Sequence, residues 1–330
     1  MNNRIFKACR VLSLAGLCLL LSAGANAANP AKVNICHAPP DNPENIQRIQ
    51  VGSKGNSLVN HLGHGDWLVT EETCDAIADN NCDGMPDPRA DDAGCAATLG
   101  AGASCVAGIC EPPDGATPIG TITEDILRGG TPPGSDRGVE SAAGNLVADA
   151  QLWATSSNGA EIAFMNPGGV RSDLTYLASA GEGDGVVTYG EAFTFQPFGN
   201  TLKTFPMTGA QIVSVLEEQC QPDFTSRPFL HLGVSEGFTY DLTKTIVAGD
   251  CTSVTVSNVM LNGVHLDLTA NYLVTVNSFI AAGGDNFDTF ATIDPSTMLD
   301  GGNDLGALVN YFSMFSPVAP PTTDRANELP

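Results

Sequence analysis

Positive charge is scarce in this 330-residue chain: 14 lysines and arginines stand against 37 aspartates and glutamates, a formal net charge of -23. Three of those basic residues, Arg4, Lys7 and Arg10, lie in the first ten positions, so removal of a leader would deepen the charge to -26. Such a chain repels nucleic acid polymers and anionic membranes, and neither is expected as a partner. Long apolar runs are also missing. Residues 11–21 are apolar but fall short of the roughly 20 residues that cross a bilayer, and no other stretch is apolar enough to span. Cys18 lacks the small preceding residue that a lipoprotein signal would carry. No membrane anchor is expected.

What is present at the start reads as an address. The basic residues, the apolar run and the small residues Ala25, Asn26 and Ala27 follow the order of a secretory signal peptide over residues 1–27. Export to a periplasmic or extracellular space follows. The carboxylate excess suits a salty or calcium-containing medium, and solubility outside the cell explains it equally well. Beyond the leader stand Cys36, Cys74, Cys82, Cys95, Cys105, Cys110, Cys220 and Cys251, an even set that fits an oxidising compartment. Six of them fall between 36 and 110, where large apolar residues are sparse, so that region is expected to rely on covalent staples. The spacing leaves the pairings open; Cys36 with Cys74, Cys105 with Cys110, and Cys220 with Cys251 are the expected ones.

Composition shifts near Glu111-Pro112-Pro113-Asp114-Gly115. A cysteine-rich region, 28–115, there gives way to a domain over 116–316 with clear helix and strand periods. Residues 317–330, polar and rich in proline, are expected to form a disordered tail. Ala143, Leu146, Val147, Ala150 and Trp153 recur at helical spacing within 140–156, and a short buried strand follows at 161–165. Residues 202–205 read as a strand. Thr208 and Gln211 form a capping-box signature before Ile212, Val215 and Leu216, which starts a second helix. Hairpins are expected at Glu236-Gly237 and at Asn262-Gly263. A last helix over 303–315 places Leu305, Leu308, Val309, Phe312 and Phe315 on one face. The mixture predicts an α/β (mixed α+β) domain.

Three glycine-bearing clusters carry the candidate chemistry. They are Asn166-Pro167-Gly168-Gly169-Val170-Arg171, Phe195-Gln196-Pro197-Phe198-Gly199-Asn200, and Phe279 through Gly283-Gly284-Asp285 to Phe287. Each joins a strand end to a loop, where α/β proteins place binding groups and where glycine lets backbone approach a ligand. Simpler readings stay open beside this one. The four phenylalanines can be core aromatics, Arg171 can pair with Asp173, Asn200 can cap a turn, and Asp285 suits a tight turn.

Taken in order with the Arg137-Gly138-Val139-Glu140 stretch, these motifs resemble the C-terminal, substrate-binding domain of the 5'-nucleotidase family over roughly 117–325. The resemblance implies a nucleoside or nucleotide ligand. Phe198 and Phe279, or Phe287 in place of the second, would sandwich the base, and Asp285 would accept hydrogen bonds from ribose hydroxyls. Asn166 and Asn200 would meet base or ribose; Arg137 and Arg171 would reach ribose or phosphate. Pro133 stands where family members often carry a second arginine, so affinity for nucleosides is expected to outlast affinity for nucleotides. Residues 179–185 resemble an acidic, glycine-rich insertion.

Hydrolysis in that family needs two metal ions held by Asp, His and Asn of a preceding metallophosphatase domain. No Asp-x-His or Gly-Asn-His-Glu signature occurs here, so no catalytic residue is assigned and activity is expected only with a separate metallophosphatase subunit. Another metal is open. Asp79, Asn81, Asp83 and Asp87, with Gly84 at the turn and Asp91 and Asp92 beyond, alternate oxygen ligands as calcium loops do; a solvated acidic turn held by Cys82 and Cys95 is the simpler reading. Zinc on His37, His61 and His64 is conceivable, with disulfide-supported structure as its rival. Two functions therefore compete: an exported nucleoside- or nucleotide-recognition domain of nucleotide catabolism, and a calcium-stabilised surface or adhesion protein with a vestigial pocket.

Overall fold

The computed structural model describes residues 100–106, 109–179, 181–221 and 226–330, with backbone alone for five short strands at 32–37, 47–52, 67–68, 104–106 and 109–111. The leader, the 79–87 loop, the three N-terminal histidines and the Cys36–Cys74 and Cys105–Cys110 pairings lie outside the described side chains. The chain forms two units, one of residues 1–71 and 79–86 and one of 72–78 and 87–330. In the first, β1 (Lys32–His37), β2 (Gln47–Gly52) and β3 (Trp67–Leu68) make an antiparallel sheet of order β2-β1-β3.

The larger unit opens with the hairpin β4 (Ser104–Val106) and β5 (Ile109–Glu111), then β6 (Pro118–Thr121). Ala101 N–H donates to Asn310 Oδ1 at 2.9 Å, so this unit takes in residues before the boundary that composition marks. Helix α1 (Ala142–Ala154) follows, capped by Ser141 on Gly144 N–H, and leads into β7 (Ile162–Met165). All four β7 residues are buried because its alternating side chains feed two cores. Ile162 and Phe164 face a core with Phe205, Val215, Val274 and Phe290. Ala163 and Met165 face Leu146, Val147, Leu308 and Phe312. A sheet apolar on both faces thus becomes the middle layer.

Its other strands come later in the chain. β8 (Val186–Thr188) pairs with β6, and α2 (Tyr189–Phe195) and α3 (Gly209–Glu217) both start on complete capping boxes, at Thr188 and at Thr208. Between those helices runs β9 (Thr201–Thr208). β10 (Gly233–Val234), β11 (Phe238–Val247), β12 (Asp250–Leu261), β13 (Val264–His265) and β14 (Asn271–Asn277) follow, then α4 (Ser278–Ala281), α5 (Asp288–Ala291), β15 (Leu299–Asn303), α6 (Asp304–Phe315) and β16 (Ala326–Glu328). The central sheet has order β10-β7-β14-β9-β15, and a second sheet has order β13-β12-β11-β16. In the central sheet only β14 and β7 are parallel; β10, β9 and β15 each run opposite to their neighbours. A mixed α/β architecture results, as the periodicities predict.

The Asn262-Gly263 hairpin forms as expected: Leu261 pairs with Val264, and both turn residues have positive φ, 52° and 76°. The Glu236-Gly237 turn does not make a hairpin. β10 pairs with β7 and β11 with β12, so this turn passes the chain from one sheet to the other. Gly237, at φ 85°, sits where a Cβ would come within 2.3 Å of Asn262 Oδ1.

Cys220 and Cys251 form the expected disulfide across 31 residues, tying the end of α3 to β12. Its reduction is expected to lower stability by about 2–4 kcal/mol, read as a lower urea midpoint in the presence of a reductant; an unchanged midpoint contradicts this.

The disordered-tail expectation is corrected by the packing. Val318 is buried, β16 pairs in parallel with β11, and Arg325 binds Asp149 through Nη1 at 2.7 Å and Nη2 at 2.9 Å. Proline and polar content describe what a segment lacks for a core of its own. They do not reveal that Asp149, on a buried helix, needs a cation.

His231 is 4% exposed, its Nδ1 lies 3.0 Å from Leu232 O, and its backbone N–H donates to Arg137 O at 2.8 Å. Burial pushes its pKa down from 6.5 to about 4. The folded chain therefore holds the ring neutral while the unfolded chain protonates it. The stabilisation is complete above pH 6.5 and is lost as pH falls toward 4, about 3 kcal/mol in all. His231→Asn is expected to remove that acid-side slope from urea titrations between pH 7 and 4.5, and an unchanged slope contradicts it.

Candidate functional site

Strand directions bring the three glycine-bearing clusters to one edge. Asn277 pairs with Leu202 across β14 and β9, Asn303 pairs with Thr201 across β15 and β9, and β14 runs alongside β7. The carboxyl ends of β7, β14 and β15 and the amino end of β9 therefore share one end of the central sheet. Asn166, Phe279, Asp304 and Asn200 each lie within two residues of those strand ends. Loops at such an edge are the usual place for ligand groups in open α/β sheets.

Around Gly168 three of the predicted residues converge. A Cβ built there would lie 3.2 Å from Asp285 Oδ2, 3.3 Å from Arg137 Nη1 and 3.5 Å from Asn166 Nδ2. Asn166 Nδ2 donates to Asp285 Oδ2 at 2.7 Å, and Asn166 Oδ1 accepts from Asn277 Nδ2 at 3.0 Å. Asp285 holds φ 58° and Asn286 φ 61°, a region that non-glycine residues enter at some cost, more cheaply for Asp and Asn than for others. Gln221 holds the pair there: its Nε2 donates to Asp285 O at 3.0 Å, and its Oε1 accepts from Asn286 Nδ2 at 2.7 Å.

The aromatic residues divide cleanly. Phe195 and Phe287 are fully buried core residues, whereas Phe198 is 57% and Phe279 46% exposed. Phe287 therefore drops out as an alternative to Phe279. Arg171 lies over the Phe198 ring, 5.9 Å from guanidinium carbon to centroid, and Phe279 lies against Gly284, where a Cβ would approach the ring to 2.6 Å. Their loops touch at Ser278 Oγ and Asn200 Oδ1, 3.5 Å apart. No other aromatic ring among the described residues packs on either phenylalanine.

Other local expectations shift. Asp173 pairs with Arg128 at 3.0 Å, not with Arg171, whose Nη1 donates to Gly168 O at 3.3 Å. Asn200 donates to Asp304 Oδ2 at 3.0 Å, and Asp304 N–H returns a bond to Asn200 O at 2.8 Å. Burial pushes the Asp304 carboxyl up while the Asn200 bond pulls it down. The Arg137 guanidinium is lowered from its ordinary value by burial, then by the charges of Arg227 and Arg171, with Asp285 opposing. Sequence reasoning missed Asn277, Gln221 and Asp304. Only Asn277 left a signal: it precedes Ser278-Phe279-Ile280 as an N-cap, and its Oδ1 accepts from the Phe279 and Ile280 N–H groups.

The loops at this sheet end thus carry two exposed phenylalanines, a carboxylate and two arginines. The family model described as 5'-nucleotidase, C-terminal domain, matches residues 118–292. The chain belongs to that family, a family of nucleotide-related hydrolases. It is 33% identical over 197 residues to the cell wall protein Lmo0130 of Listeria monocytogenes, covering 58% of this chain and 24% of that protein. To the NAD 5'-nucleotidase of Haemophilus influenzae it is 32% identical over 136 residues, covering 40% and 21%. The crystal structure of a 5'-nucleotidase precursor from Thermus thermophilus matches with a TM-score of 0.50 at 29% identity, covering 64% of this chain and 39% of that one. The chain thus spans about a quarter of the length of the curated relatives. No helix among the described residues is long and apolar enough to cross a membrane.

Proposed function

We propose that this chain is an exported domain that recognises nucleosides or nucleotides at the sheet edge described above. The observation that carries the reading is the exposure of Phe198 and Phe279 beside Asp285 and Arg137, in a fold whose other phenylalanines mostly fill the cores. A purine between two rings gains stacking energy with little discrimination among bases. Asp285 accepts hydrogen bonds from the ribose hydroxyls, and Asn166, which already donates to Asp285, orients it. Asn200 faces base or ribose. Arg137 and Arg171 supply positive charge toward a phosphate, in a chain that has little elsewhere.

Phosphate hydrolysis in this scheme needs a metallophosphatase partner that carries the metal pair. No cluster of three metal-ligating side chains occurs among the described residues, and no catalytic step is assigned to them. Calcium on Asp79, Asn81, Asp83 and Asp87 belongs to the same proposal as a stabiliser of the N-terminal region. A second reading, a surface protein whose pocket is vestigial, is favoured by the likeness to the Listeria cell wall protein.

Calorimetric titration of the purified chain with adenosine, and with 2',3'-dideoxyadenosine, separates the two readings. The recognition reading expects saturable heat with adenosine and weaker binding of the dideoxy compound. Heat with calcium and none with adenosine would leave the surface reading.

A further inference from the structure

Two neighbouring residues of the site share a costly backbone. Asp285 and Asn286 both hold left-handed φ angles, 58° and 61°, a conformation that non-glycine residues leave for negative φ unless their surroundings hold them. Their own turn holds them weakly. Phe287 is fully buried, but its N–H reaches Gly284 O only at 3.4 Å. The firmer bonds come from residues just after α3. Gln221, 1% exposed, binds both members of the pair, donating to Asp285 O at 3.0 Å and accepting from Asn286 Nδ2 at 2.7 Å. Glu218 Oε1 accepts from the Thr289 N–H at 2.9 Å and from Thr289 Oγ1 at 2.6 Å. The Asp285 loop therefore hangs on Glu218 and Gln221.

Those two side chains are fixed in turn. Cys220, next to Gln221, is bonded to Cys251 of β12 in the second sheet. Gln221 N–H donates to Pro228 O at 2.8 Å, Leu230 N–H donates to Gln219 O at 2.8 Å, and Gln221 Nε2 also donates to Glu218 O at 2.8 Å. A covalent tie from a sheet that bears none of the candidate ligand residues thus ends one residue before the side chain that sets Asp285. The aromatic groups have separate supports. Asn277 caps the helix that begins at Ser278-Phe279, and Asp304 holds Asn200 on the loop of Phe198. Loss of the Gln221 bonds is then felt at the carboxylate more than at the rings.

We propose that Gln221, braced by the Cys220–Cys251 disulfide, is a positioning residue that determines the specificity of this site: it holds Asp285 in the orientation that reads ribose hydroxyls, without touching the ligand itself. Without it the Asp285-Asn286 pair relaxes toward negative φ and turns the carboxylate away from its place beside Gly168. The inference rests on the nucleoside reading above and adds the residue, and the disulfide, on which selection for a hydroxylated sugar depends.

Calorimetry of the full oxidised chain with adenosine and 2',3'-dideoxyadenosine tests it, read as the preference for adenosine. In the parent chain that preference is expected to be about tenfold, as charge-assisted bonds to a carboxylate allow. Gln221→Leu, which keeps the bulk and removes both bonds, is expected to bring it within about twofold while dideoxyadenosine binds as before. Asn286→Ala, at an exposed position, removes one of the two bonds and lowers the preference part of the way. Cys220→Ala with Cys251→Ala, which leaves the other cysteines as they are, lowers it in the same direction. An unchanged preference in Gln221→Leu overturns the inference, and so does an equal loss of both ligands, which marks a general support of the fold. Should Gln221→Leu fail to fold, Asn286→Ala decides on the same criterion. A parent preference in the chain without the disulfide overturns the brace. Equal binding of the two ligands by the parent overturns the inference and leaves stacking standing, whereas failure to bind adenosine overturns the nucleoside reading with it.

Discussion

Phe198→Ala is expected to weaken adenosine binding about 5- to 100-fold, and Phe279→Ala by a similar factor, because one stacked aromatic face contributes on the order of 1–3 kcal/mol. Both rings are half exposed, so their truncation removes little buried area and the unfolding midpoint should stay near that of the parent. Phe195→Ala and Phe287→Ala give the contrast. These rings are fully buried, and their loss is expected to cost about 3–5 kcal/mol of stability. If Phe198→Ala binds adenosine as well as the parent chain does, while remaining folded, stacking at this edge is refuted. Gly284→Ala offers a route that removes neither ring. Its methyl group would meet the Phe279 ring at 2.6 Å, displacing the ring from its seat and weakening binding in the same direction.

An equally large effect on stability is expected beside β10, at one edge of the central sheet. Asp149 on α1 and Arg325 before β16 are each about one-tenth exposed. Arg325 Nη1 also donates to Val234 O at 2.7 Å, and Asp149 Oδ1 accepts the Glu236 N–H at 2.6 Å. Burial raises the Asp149 carboxyl pKa, and the Arg325 bonds oppose that rise. Asp149→Ala leaves a buried guanidinium without its counter-ion, and a loss of about 3–5 kcal/mol is expected. Replacing both partners, as Asp149→Leu with Arg325→Met, should recover much of that loss, because no unpaired charge then stays buried. Chemical denaturation of the three proteins measures this. A single mutant as stable as the parent would show that the tail is not anchored through this pair.

These two regions also mark what the sequence could and could not reveal. α1, α6, the Thr208 capping box, the Asn262-Gly263 turn and the Cys220–Cys251 pair depend on residues close in sequence, or on a small choice of partners, so spacing predicts them. The anchored tail does not, since Arg325 and Asp149 are 176 positions apart and only the fold joins them. The Glu236-Gly237 turn shows a related limit: glycine marks a reversal of the chain, but the partner of β10 is β7, almost seventy residues earlier. At the site, glycine-bearing loops and family order brought Arg137, Asn166, Arg171, Phe198, Asn200, Phe279 and Asp285 into view. Their supports stayed hidden. Asn277, Gln221 and Asp304 act through long-range hydrogen bonds, and apart from the N-cap position of Asn277 no local pattern singles them out.

The shared sheet end makes these supports more than incidental. Asn277 fixes Asn166 and caps the helix that carries Phe279, so one buried amide sets the position of a polar contact and an aromatic one together. Asp304 does the same for Asn200, two residues from Phe198. Binding groups that hang on rigid strand ends lose little entropy when a ligand arrives, which favours affinity without new contacts.

A crystal structure of the chain grown with adenosine tests the central claim most directly. The account predicts a purine lodged between the Phe198 and Phe279 rings, with both ribose hydroxyls within hydrogen-bond distance of the Asp285 carboxylate. Adenosine bound elsewhere, or the two rings closed on each other with no room for a base, would contradict it.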